Sequence, residues 1–216
     1  MTQSQISMQI EKRLSKGKKV DKLERKLSQS MYRESVYQQT INEILELEKS
    51  EVKYAITDGY RKNGEGGRTY YEPSNNTITI KYNELNDPFV SLVHELKHAY
   101  QFEKGQVDFD RSGNQLTGLL HDLNDEVEAY QREQVWSPQH AYTNRVITQS
   151  FVKTIGYKNT PYGPLDYNSS IALINSMRVI SGLPKAYSGD PLTILETTYA
   201  DLSQSGEIEY VNRHNY

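Results

Sequence analysis

The run His94-Glu95-Leu96-Lys97-His98 constrains this chain more than any other segment. Two imidazoles four residues apart meet at one point on an α-helix, where side chains at i and i+4 lie one above the other. The residues around the run keep that period, with Phe89, Leu92, Val93, Leu96 and Tyr100 at helical spacing. Asn86-Asp87-Pro88 offers a capping side chain and a proline in the first turn, and Gly105 ends the pattern. A helix opening at Asp87-Pro88 and carrying both histidines on one side is expected.

The chain has 0 cysteines, which removes thiolate metal sites and disulfides and leaves the redox compartment open. A metal here must be held by histidine and carboxylate. Spacing His94 and His98 by one helical turn suits a single tetrahedral zinc. Glu95, one residue from the first ligand, can reach a zinc-held water without occupying a coordination position, as a general base must.

A catalytic zinc needs a third protein ligand. The metzincin continuation requires Gly and His where this chain has Gln101 and Lys104, so that subclass is excluded. A second helical pattern runs from Leu123 to Gln134 with an apolar stripe of Leu123, Val127 and Tyr130, and Glu126 falls on it. Glu128 lines up with Asn124 and Arg132 on a stripe that reads as solvated. A buried carboxylate costs several kcal/mol unless paired or bound to metal, which favours Glu126 as the ligand, with Glu128 and His121 as alternatives. Asp122 and Asp125 are candidate partners for the histidine N–H groups.

Before the motif the period is 2: Val52, Tyr54 and Ile56 alternate with polar residues, as do Ile78, Ile80 and Tyr82 after the turn 73–76. Two or three strands of a small antiparallel or mixed sheet should precede the helix, giving an α+β fold. Asn63 to Gly67 reads as a loop without a phosphate-binding fingerprint. Strands followed by a capped helix are the order a zinc peptidase needs to lay an extended substrate beside an edge strand. Residues 1–50 form a charged helical segment, and 51–216 the catalytic domain, with core motifs at 52–134. The part from 137 onward has helical patterns near Tyr142–Ile155, Ser170–Ile180 and Leu192–Leu202. Loop Gln106–Gly118 is a candidate for specificity.

HELKHAYQ at His94–Gln101 and NDEVEAYQRE at Asn124–Glu133 together resemble the glutamate-type HExxH zinc peptidases, the gluzincins. Their third ligand is the Glu of an N/D-E-x-x-A segment, and aligning that segment again selects Glu126. The resemblance implies a zincin-like fold, with the sheet packed on the HExxH helix and further helices at both termini. TYYEPSNNTITIKYN, HELKHAYQFEKG and DEVEAYQRE are also similar to the metallopeptidase toxin domains of Rhs and other polymorphic bacterial toxins, and to secreted effector proteases. That likeness implies delivery into a target cell as part of a larger protein, a protein or peptide substrate and a cognate immunity protein. Two departures stand out. Tyr130 replaces the Asp that follows the third ligand in many such enzymes, and no fixed motif names an oxyanion donor, for which Tyr142 beside His140 is one candidate and His214 another.

With Lys+Arg 25 against Asp+Glu 28, the charge gives no footprint for nucleic acid. The basic stretch Lys16–Lys26 is interrupted by Asp21 and Glu24 and reads as a solvated helix. No apolar run is long enough to span a bilayer, and Met1–Ile10 lacks a signal-peptide pattern, so a soluble chain is expected. The rival readings are a closed, non-catalytic zinc module and an interaction protein that kept a peptidase scaffold.

Overall fold

The computed structural model describes residues 2–60, 66–72, 74–83, 87–109, 118–137, 145–158, 160–163 and 172. The chain divides into two compact units, 1–43 and 44–216. The first holds α1 (Gln3–Leu14) and α2 (Asp21–Leu47) as far as Glu43, with Ile6, Val20 and Leu23 buried. Thr2 and Gln5 cap α1 reciprocally, each side chain taking the other's backbone N–H.

The second unit is α+β. Its sheet has β1 (Tyr54–Tyr60), β2 (Arg68–Glu72) and β3 (Thr77–Asn83) in the order β1-β3-β2. The central strand buries Ile78 and Ile80 on one face and Thr77 and Thr79 on the other. β2 and β3 form the expected antiparallel hairpin, closed by Asn76 at φ 54, a left-handed position that asparagine tolerates. β1 runs parallel to β3, so the sheet is mixed, one of the two arrangements expected. The hairpin occupies one flank of β3, and the chain between β1 and β2 is long enough to cross back to the other. Both outer strands are edges, so Ile56 on β1 is 56 % exposed although it alternates with Val52 and Tyr54.

The helix carrying the motif, α3 (Pro88–Glu103), packs on the sheet. Leu47, Ile80, Leu96 and Ala99 form one apolar cluster; Val52, Ile78, Phe102 and Phe109 form another, with Tyr54 against both. Burying each of the larger side chains contributes about 1.5–3 kcal/mol, which fixes the rotation of α3. Its end is a Schellman motif: Gly105, at φ 69, donates to Phe102 O, and Gln106 donates to Gln101 O. Its start differs from expectation. Asp87 sits at φ 54 and makes no side-chain cap; its Oδ2 instead accepts from Ser137 Oγ.

Ser137 follows α4 (Leu123–Trp136), which lies antiparallel to α3. Contacts run in opposite order: Phe89 with Trp136 at one end, Gln101 with Asp125 at the other. Leu123 joins Ile147 and Val152 in a third cluster, so its expected inward stripe holds. Arg132, expected on a solvated stripe, is 4 % exposed, whereas Asn124 and Glu128 on the same stripe are exposed. The loop after α3 is pinched at its base by β4 (Asp108–Phe109) pairing with β5 (Gly118–Leu119).

The next helix, α5 (Gln149–Thr154), begins later than the expected Tyr142, since Thr148 caps it and Ile147 is drawn into the core. The remaining C-terminal helices lie outside the described residues, apart from the helical Ala172. Among the described residues no helix is long and apolar enough to cross a membrane.

Candidate metal centre

α3 and α4 bring His94, His98 and Glu126 together, with one donor atom of each within 4.8 Å of the others. His94 Nε2 and His98 Nε2 are 3.2 Å apart; His94 Nε2 is 3.5 Å from Glu126 Oε2, and His98 Nε2 is 3.5 Å from Glu126 Oε1. Tetrahedral bonds of about 2.0–2.1 Å separate ligand atoms by roughly 3.3–3.4 Å, so the two imidazoles and the carboxylate stand near the spacing that one zinc requires. Glu126 Oε2 is a buried oxygen with no hydrogen-bond partner. An oxygen left so is costly unless a cation takes it, which is the independent sign that the donor set suits a metal.

Two side chains decide which ring nitrogen faces inward. Gln101, fully buried, donates from Nε2 to Asp125 O and toward Glu128 Oε2; its Oε1 must therefore face His98 Nδ1, 2.8 Å away. Only an Nδ1–H satisfies that oxygen. Glu133 Oε2 likewise accepts from His94 Nδ1 at 3.0 Å. With both Nδ1 atoms donating outward, both Nε2 lone pairs are left for the centre.

These partners were missed in the sequence, where Asp122 and Asp125 were the candidates. Those two instead cap α4: Asp122 Oδ1 accepts from Asn124 N, and Asp125 Oδ2 accepts from Asp122 N at 2.7 Å. The signal for the true partners was spacing, since Gln101 is three residues after His98 and Glu133 seven after Glu126, each on its ligand's own helix face. Tyr130 packs edge-on against His94, with ring centroids 4.7 Å apart, and Tyr157 packs against Tyr130.

The alternatives to Glu126 are placed differently. Glu128 is exposed and pairs with Lys97 Nζ at 3.2 Å. His121 Nε2 lies 2.9 Å from Glu126 Oε1, outside the three-donor group. His140, Tyr142 and His214 lie outside the described residues.

Charges reinforce the arrangement. Burial pushes the Glu126 carboxyl up, but His98, His121 and His94 outweigh it and hold the group well below the carboxylate range. Burial lowers His94, yet Glu126 and Glu133 raise it well above the ordinary imidazole value. Burial takes His98 down to about 4, with Glu126 opposing and His94 adding to the effect. Two imidazoles this close cannot both be cationic.

Glu95 is buried beside the group, and burial raises its pKa to about 7, with His94 opposing. Thr69 Oγ1 on β2 sits 2.8 Å from Glu95 O and 3.0 Å from Glu95 Oε2. Just before β2, a Cβ on Gly67 would stand 2.5 Å from Glu95 Cγ and 2.8 Å from its Oε1. Glycine is what lets the strand approach this carboxylate. The sequence marked Gly67 only as loop.

No family model, curated protein or solved structure matches this chain.

Proposed function

We propose that this chain is a zinc-dependent peptidase in which His94, His98 and Glu126 hold the metal and Glu95 is the general base. The observation that carries the reading is the triangle of two inward Nε2 lone pairs and one buried, partly unpartnered carboxylate at zinc-ligand spacing. A zinc ion held there would lower the pKa of a coordinated water toward neutrality and polarise the substrate carbonyl.

Glu95 takes the proton of the attacking water on its carboxylate and returns it to the leaving amine nitrogen. A pKa of about 7 suits a group that must both accept and release a proton near neutrality. Thr69 steadies that carboxylate and Gly67 leaves it room. β2, an outer strand of the sheet beside Glu95, is the strand along which an extended peptide can lie.

Two histidines and a carboxylate also serve non-haem iron. The buried base at Glu95 favours hydrolysis, since a redox centre has no use for it. A closed structural zinc site needs a fourth protein donor, and among the described residues three converge.

On the strength of the sequence resemblance alone, we extend the proposal to a toxin- or effector-type protease, delivered within a larger protein and held in check by an immunity protein. Metal analysis of wild type and Glu95→Gln, paired with a proteome-wide cleavage screen, tests the catalytic reading. Wild type is expected to carry one zinc and cleave; Glu95→Gln should keep the zinc and lose at least about 100-fold in rate. Full activity in Glu95→Gln contradicts the mechanism.

A further inference from the structure

His121 is the one imidazole at the centre that the proposed mechanism leaves unassigned. It stands directly before the α4 cap residue Asp122 and after Leu120, whose φ of 64 puts a leucine in the left-handed region. A side chain with a Cβ is strained there, and such strain persists only where the surroundings demand it. Its consequence is local: the chain turns so that the His121 ring faces His98 with centroids 5.9 Å apart, and its Nε2 comes to 2.9 Å from Glu126 Oε1.

The two oxygens of Glu126 are thereby made unlike. Oε1 accepts from His121 Nε2–H and lies 3.5 Å from His98 Nε2; Oε2 is buried, has no hydrogen-bond partner, and lies 3.5 Å from His94 Nε2. A carboxylate with both oxygens free can bind a cation through one or both, or swing away from it. One tied by a donor on a single oxygen presents the other in a fixed direction.

Resting on the zinc reading above, we infer that His121 is a positioning residue: it ties Glu126 Oε1 and so holds the carboxylate with its unpartnered Oε2 toward the metal. His121 is not itself a ligand, since its nitrogen falls outside the group of converging donors. Its side chain is 22 % exposed, against 5 % for that of Glu126.

The test uses the full chain and Zn2+ alone. His121→Phe removes the donor at similar volume, and His121→Gln restores a donor. Zinc affinity, read by competition with a chromophoric chelator, is expected to fall about 10- to 100-fold in His121→Phe and to recover substantially in His121→Gln. Should the Phe variant fail to fold, His121→Ala makes the same comparison. X-ray absorption at the zinc edge should count two imidazoles in wild type and in His121→Phe. Unchanged affinity in His121→Phe overturns the inference, as does a third imidazole on zinc in wild type. Wild type that takes up no stoichiometric zinc overturns it too, by a different observation, because the metal reading itself then fails.

Discussion

Gln101 has no charge and no catalytic chemistry, yet it determines what His98 can do. Its amide is anchored at the nitrogen end by acceptors on α4, so its oxygen can face only an N–H. Gln101→Leu keeps the apolar contacts, removes the acceptor and frees His98 to flip or protonate. Zinc affinity is expected to drop about 10- to 100-fold, measured by chelator competition; no change would mean that packing alone orients the ring.

Gly67 acts by having nothing. Gly67→Ala forces a carbon into the space of the Glu95 side chain, and overpacking of this kind costs about 1–3 kcal/mol. A lowered melting temperature with zinc still bound is the expected outcome. Stability equal to wild type would show that β2 yields freely. His94, Glu95 and His98 were legible as a motif because one helix carries them all. Thr69 and Gly67 were not, because each acts across a contact that no single periodicity encodes, whereas Gln101 and Glu133 carried only the spacing signal.

At the scale of elements, the pairing of α3 with α4 makes the site. Glu126 lies in the first turn of α4, so the capping box of Asp122 and Asp125 fixes the turn from which the carboxylate projects. Asp122→Ala is expected to cost about 0.5–2 kcal/mol in chemical denaturation. It should also weaken zinc binding, since the fraying turn carries a ligand; a stability loss without any change in affinity would detach the cap from the site.

The inward face of α4 was readable from Leu123, Val127 and Tyr130, and with it the choice of Glu126 over Glu128. Arg132 was misread because its surroundings come from other elements. The sequence left the sheet antiparallel or mixed, because alternation tells which residues share a face, whereas strand direction depends on which flank of β3 the hairpin leaves open. α5 was placed too early because helical spacing alone does not reveal where Thr148 caps.

For the whole molecule, sheet, motif helix and ligand helix place a base and a three-donor group beside an outer strand of the sheet. Each part is ordinary packing, and the combination leaves one buried oxygen, Glu126 Oε2, without a hydrogen bond. The order of strands and helices along the sequence was enough to expect an α+β unit built around the motif. The separation of 1–43 from 44–216 falls within α2, where no shift in composition marks it.

The central claim is that one metal ion is gripped by two histidines from α3 and a carboxylate from α4. Anomalous scattering on either side of the zinc absorption edge, from crystals grown with zinc, tests it most directly. The account predicts one strong peak about 2.0–2.2 Å from His94 Nε2, His98 Nε2 and an oxygen of Glu126. No peak among those atoms, or side chains turned away from one another, would contradict it.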